Sequence, residues 1–253
     1  MHSAGFFDVK GIDGSGTVMP LLIGKEIEAI VSLVRFDQFG EKEIADRAQN
    51  DLQWIKDKSV LHNHIIMQSV GELDVPLIPM KFGTIFKNRT SLQDAIKKDY
   101  RKFLDLLAKL KDKEEWSVKV FVDPNIFKKE IIANDTVLKN KEKELSCLPV
   151  GLAYFKEMEF KDAVEKRKKA EFGKWAQEIL NTLGTFANDR KQGKILGKEL
   201  TGETDPMILN AIFFLHKKRV SKFLKGVERL RRILKGKGLL MRVSGPWPPY
   251  NFV

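Results

Sequence analysis

Apolar residues follow two different periods along this chain, and the switches between them lay out its elements. Residues 6–12 form a short apolar run and 18–23 and 27–34 are runs rich in Val and Ile, which predicts strands. Gly11-Ile12-Asp13-Gly14-Ser15-Gly16 lies between the first two. Gly, Asp and Ser are turn formers, so the stretch reads as a hairpin turn. It does not read as a phosphate cradle. The glycine spacing departs from the dinucleotide fingerprint, no Gly-Lys-Ser/Thr follows, and the next element is a strand rather than a helix N-terminus.

From residue 41 the period becomes helical. Ile44, Ala48, Leu52 and Ile55 form one stripe, and Val60, His64 and Met67 continue it beyond an expected break near Lys58-Ser59. Residues 75–86 are extended and β-branched, with Pro76 and Pro79 confined to a strand start or edge. Gly83 marks a bulge there or a close backbone approach. A helix follows, with Thr90 and Gln93 as a capping box and Leu92, Ile96, Tyr100, Phe103, Leu107 and Leu110 as its buried stripe. Residues 116–122 alternate as a strand with Val118, Val120 and Val122 on one face. The expected first domain, residues 1–122, is an α+β sheet with helices on one face, of the split βαβ, ferredoxin-like kind.

Asp123-Pro124 reads as the joint to a second α+β domain, residues 123–253. Two short helices over 125–147 lead into a long charged helix over 148–191. Its second part carries Phe172, Trp175, Ile179, Leu183 and Phe186 as a packing seam. After a polar loop at 192–206, the run 207–215 is nearly all apolar, as a mid-sheet strand is, with Asn210 as its interruption. Ser221 is the expected cap of a helix with Val220, Phe223, Leu224, Val227, Leu230 and Leu234 on its apolar face. Gly236 and Gly238 end that helix. Residues 239–243 are the last strand and complete a βαβ unit.

The chain closes on Gly245-Pro246-Trp247-Pro248-Pro249-Tyr250-Asn251-Phe252-Val253. The prolines forbid helix and stiffen this tail into an extended path. Trp247, Tyr250 and Phe252 left in water would form an apolar patch, so they are expected to dock, on the chain's own body or in a partner's groove.

Composition adjusts this picture. Hydrophobic residues make up 43% of the 253 residues, which supports two packed cores. A single cysteine, Cys147, excludes an intrachain disulfide framework and fits a reducing cytoplasm. The N-terminus lacks the basic and then apolar pattern of a secretory signal, and the run 207–215 is under half a membrane span. The formal net charge is +11, yet Lys and Arg read as spread along the chain and interleaved with 34 acidic residues. That speaks against the clustered footprint of a nucleic-acid binder, which stays as the rival class. The run Lys166-Arg167-Lys168-Lys169 is the first place to look for an acidic partner.

No reaction chemistry emerges. Gly-x-Ser-x-Gly, Walker, His-Glu-x-x-His and Cys-x-x-Cys patterns are missing. His62 and His64 are two apart, so on a helix they splay and cannot share a metal. Cys147 has no histidine nearby in sequence and reads as buried or incidental. No cofactor is implied, and the chain reads as one that binds other proteins.

The tail from Gly245 to Val253 resembles the C-terminal signature of the gas vesicle accessory protein family GvpL/GvpF. Leu209-Asn210-Ala211 resembles the opening of the family's apolar strand. Pro79-Met80-Lys81-Phe82-Gly83-Thr84-Ile85-Phe86 is similar to its proline-to-phenylalanine-glycine strand, and Gly151-Leu152-Ala153-Tyr154 to its glycine-alanine-tyrosine element. These pieces occur in the family's order. The resemblance implies a cytoplasmic, non-enzymatic protein with a modified ferredoxin-like N-terminal domain. It implies binding of the hydrophobic gas vesicle shell protein or of other accessory proteins during vesicle nucleation and growth. Candidate contact or tail-docking residues are then Pro79, Phe82, Gly83, Pro246, Trp247, Pro248, Tyr250 and Phe252.

Overall fold

A computed structural model describes residues 9–14, 16–73 and 75–253. The strand expected over 6–12 falls largely outside the described residues. The fold is α+β, with a small antiparallel sheet among helices and a second, four-stranded sheet with helices of its own. The chain divides into two compact units, Met1–Glu114 together with Trp247–Val253, and Glu115–Pro246.

In the first unit, Lys10 bridges Thr17 in antiparallel fashion, and Val18 N donates to Val9 O at 2.9 Å. This closes a hairpin across the glycine-rich turn. β1 (Met19–Ile23) and β2 (Ile27–Val31) form the second hairpin, in a register that pairs Ile23 with Ile27. The turn between them needs glycine. Gly24 sits at φ +68°, and a Cβ there would come within 2.8 Å of the Tyr100 hydroxyl. That hydroxyl accepts from Lys25 N and Glu26 N at 3.3 and 3.2 Å, so Tyr100 secures the turn.

Helices α1 (Phe36–Phe39), α2 (Glu41–Asn50) and α3 (Leu52–Leu73) follow. The break expected near Lys58-Ser59 lies instead at Asp51. Its carboxylate accepts from Trp54 N at 3.1 Å, because a short acid competes for the backbone better at a helix start than inside one. Residues 75–86, expected as an extended strand, form a loop that joins no sheet among the described residues and turns at Phe82-Gly83, where Thr84 N donates to Lys81 O at 3.1 Å. The helix expected from residue 90 is two, α4 (Arg89–Lys98) and α5 (Tyr100–Leu110). Its capping box is formed by Asn88 and Ser91, not by Thr90 and Gln93: Ser91 N donates to Asn88 Oδ1 at 2.9 Å, and Asn88 N donates to Ser91 Oγ at 3.2 Å. Leu21, Ile23 and Leu92 form a small core, with Phe86 and Ile96 packed against it.

The second unit holds the larger core. β3 (Lys113–Val122) contains the strand read at 116–122, but it joins the four-stranded sheet rather than that of β1 and β2. The sheet order is β4 (Asp189–Gln192), β5 (Met207–His216), β3, β6 (Leu239–Trp247). β4 and β5 are antiparallel, pairing Gln192 with Ala211. Val122 N donates to Pro206 O at 3.0 Å and Asp123 N to Gly238 O at 2.8 Å, which sets the end of β3 against the starts of β5 and β6. β3 therefore runs against both, and α10 (Val220–Leu234) carries the chain from β5 across to β6.

Asp123-Pro124, read as a joint, is the start of a helix. The Asp123 carboxylate accepts from Asn125 N and Ile126 N at 2.9 and 3.0 Å, with Pro124 as the first residue of α6 (Pro124–Asn134). α7 (Thr136–Ser146) and the long α8 (Val150–Gly184) come next, and a short helix α9 (Lys198–Thr201) precedes β5. Alternate residues of β3 and β5, among them Val118, Val120, Leu209 and Phe213, share one core with Phe223, Val227, Leu230 and Leu234 of α10 and with Ile179 and Leu183 of α8. α10 starts at Val220, after a 3₁₀ turn over Lys217–Arg219 whose Lys218 N donates to His216 Nδ1 at 3.2 Å; the expected cap, Ser221, is already helical.

Candidate functional site

The tail packs through fewer groups than its composition promises. Phe252 is buried to 2% exposure, while Trp247 and Tyr250 keep 39% and 36% of their surface in solvent. Pro248 and Pro249 are buried and Pro246 is exposed. Within the first unit, Lys109 Nζ donates to Phe252 O at 2.8 Å and ties the tail to α5. The tail folds on itself: Tyr250 N donates to Pro248 O at 2.8 Å, and Phe252 N to Pro249 O at 3.1 Å. At the tail's start, the peptide between Gly245 and Pro246 is cis and Gly245 has φ +148°. A Cβ on Gly245 would lie 2.8 Å from the Trp116 ring, so close approach excludes a side chain.

Burial pushes the Tyr250 phenol above its ordinary value. The fold favours the neutral form, so this contribution is complete below the unfolded value, near pH ~10, and is lost as pH rises through the folded one. Wild-type stability should therefore fall more steeply above pH ~10 than that of Tyr250→Phe. Denaturant melts at several alkaline pH values measure this; parallel curves would exclude it.

The central segment is anchored from α3. His62 Nε2 lies 2.9 Å from Met80 O, and its ring meets Phe82 edge-on with centroids 5.9 Å apart. Pro79 is buried, Phe82 half-buried and Gly83 exposed. Gly83 has φ +83°, so a left-handed backbone explains the glycine. His62 thus holds a loop. Among the described residues no group of three or more His, Cys, Asp or Glu side chains is placed to hold a metal ion.

The basic run on α8 is partly committed. Arg167 reaches Asp135 at 3.1 Å and Glu171 at 3.2 Å, and Lys168 reaches Glu165 at 2.8 Å. Lys166 and Lys169 are exposed. Cys147 is exposed rather than buried, and its backbone closes the last turn of α7.

One surface feature was not singled out from sequence. Near its start α8 exposes Tyr154, Phe155 and Met158 at 63%, 71% and 52%. Tyr154 and Phe155 pack edge-on with centroids 5.6 Å apart. Spacings of three and four put Met158 on their face of the helix, away from buried Phe160 and Val164. The signal was available: Phe155 and Met158 lie in a charged stretch and belong to no packing stripe.

No helix among the described residues is long and apolar enough to cross a membrane. Residues 8–253 match the family described as Gas vesicle synthesis protein GvpL/GvpF. The chain is 22% identical to gas vesicle protein L of Streptomyces sp. (strain CB03234), over 96% of this chain and 86% of that one. Its fold is similar to the crystal structure of the gas vesicle protein GvpF from Anabaena sp. PCC7120, with a TM-score of 0.72 and 17% identity over 96% of this chain and 90% of that one. It is also similar to GvpF from Microcystis aeruginosa, with a TM-score of 0.62 and 17% identity over 96% and 91%. The chain belongs to the GvpL/GvpF family of gas vesicle synthesis proteins.

Proposed function

We propose that this protein is a cytoplasmic, non-enzymatic accessory factor that binds the hydrophobic gas vesicle shell protein, or other accessory proteins, while the vesicle nucleates and grows. The observation that carries the reading is the exposed face of Tyr154, Phe155 and Met158 on α8. Large apolar side chains grouped in solvent mark a contact surface for an apolar partner. Aromatic and methionine side chains are the types enriched at protein interfaces. Shell monomers expose apolar surface before they assemble, and a face of this kind can cover it until delivery.

The test is co-expression with the main shell protein, followed by nuclease treatment and pull-down at two salt concentrations. Wild-type protein retains the shell protein and lowers its aggregation. Phe155→Ser with Met158→Ser reduces retention at least about tenfold, equivalent to ~1.4 kcal/mol. The melting temperature stays unchanged, because both side chains are exposed. A wild-type protein that retains neither the shell protein nor another vesicle protein, and leaves aggregation unchanged, overturns the reading.

A further inference from the structure

The net charge is concentrated when it is followed along the chain. Residues 206–253 hold one acidic residue, Glu228, and eleven basic ones, a balance of +10 within a chain total of +11. Some of these cations are used internally: Arg231 pairs with Glu228, Lys237 with Glu130 and Arg242 with Glu203. Five are not. Lys218, Lys222, Lys225, Arg229 and Arg232 are all exposed, and none has an ion-pair partner among the described residues.

Their spacing of 4, 3, 4 and 3 residues places them in one straight stripe along α10 and the turn before it. The stripe lies opposite the buried face of Phe223, Val227, Leu230 and Leu234. At 1.5 Å per residue it runs about 21 Å. Like charges at these spacings destabilise a helix, so the stripe does nothing for the helix itself. Beside it runs a groove of about 690 Å³ where half-buried Val220 and Leu224 lie with Lys225, Arg229, Arg232 and Glu228.

We propose that this face docks an acidic amphipathic helix of another protein, with carboxylates on the stripe and an apolar edge against Val220 and Leu224. A repeat of three and four residues is the repeat a second helix presents. The apolar groove floor favours such a helix over a phosphate backbone, which would leave Val220 and Leu224 uncovered. This names a surface and a partner chemistry beyond the accessory role. It also stands apart from the α8 face, because the assay contains no vesicle component.

The experiment uses the full chain and a labelled helical peptide with Glu at a matching 4-3-4-3 spacing and Leu along one edge. Two control peptides carry Gln for Glu, or Ser for Leu, and a single-stranded oligonucleotide is the fourth ligand. The Glu/Leu peptide binds tightest, and its affinity falls with added salt. The triple variant Lys222→Glu, Lys225→Glu, Arg229→Glu weakens binding at least tenfold without changing the circular-dichroism melt. If that variant misfolds, Lys225→Gln with Arg229→Gln weakens binding at least threefold. Lys166→Glu with Lys169→Glu leaves it unchanged. Equal binding of the Gln peptide, no loss in a folded stripe variant, or tighter binding of the oligonucleotide each overturns the proposal.

Discussion

Phe252→Ala lowers the stability of the protein by about 3–5 kcal/mol, the cost of deleting a buried aromatic ring. The ring is 2% exposed, next to the last residue of the chain, where ends usually fray. Something must hold it there. The Lys109 ammonium donates to its carbonyl at 2.8 Å, and the preceding residues turn back through the bond from Phe252 N to Pro249 O. For a chain of this size the loss corresponds to a fall of roughly 6–20 °C in the midpoint of the affected transition, at ~2–4 °C per kcal/mol. Trp247→Ala and Tyr250→Ala cost less, because both rings keep more than a third of their surface in water. Thermal and denaturant melts of the three variants decide it. If Trp247→Ala is as damaging as Phe252→Ala, the tail is not anchored through its penultimate residue. The consequence reaches function. A tail held through Phe252 keeps Trp247 and Tyr250 partly in solvent, so those two rings are the large tail side chains that a partner could still reach.

Local periodicity was readable wherever one face is buried. The apolar run 207–215 is β5 almost residue for residue, and the stripe from Phe223 to Leu234 is the core face of α10. The turn over residues 11–16 was legible because its Gly and Asp content admits little else. What sequence did not show was which strands meet. Val118, Val120 and Val122 mark β3 as a strand, but alternation says nothing of its neighbours, and those lie some ninety and one hundred and twenty residues downstream. Asp51 does not stand out as a helix boundary in sequence, because a single cap is a weaker signal than a stripe. Residues 75–86 read as a strand from their β-branched run and are a loop, since proline excludes ladder bonds without saying whether a ladder exists and Gly83 takes a left-handed turn. The candidate surfaces were harder still. A +11 total conceals where the charge sits, and the α10 stripe shows only when ion pairs are assigned. Phe155 and Met158 look like core residues until the helix is placed with that side in solvent.

Gly238→Ala costs about 2–5 kcal/mol and Gly236→Ala only roughly 1–2, although both glycines close the same helix. Both have left-handed backbones, at φ +71° and +83°, so an L-residue pays the same conformational penalty at either position. The difference is in the space around them. A Cβ at Gly236 meets nothing within 4 Å. One at Gly238 would lie 2.7 Å from Phe127 N, 3.0 Å from Ile126 Cβ and 3.1 Å from Asp123 O. Those atoms form the first turn of α6, which cannot yield easily. Its N–H groups are held by the Asp123 carboxylate, and Asp123 N in turn donates to Gly238 O at 2.8 Å. Moving α6 away relieves the collision only by breaking that bond, at the point where β3 ends and β6 begins. Paired denaturant melts of the two variants measure the contrast. Equal losses would mean that the junction relaxes around a methyl group and that backbone conformation alone requires Gly238. A larger loss at Gly238 identifies the junction of β3, α6 and β6 as a rigid corner of the second unit's sheet, set by a contact that the helix-ending role of the two glycines does not reveal.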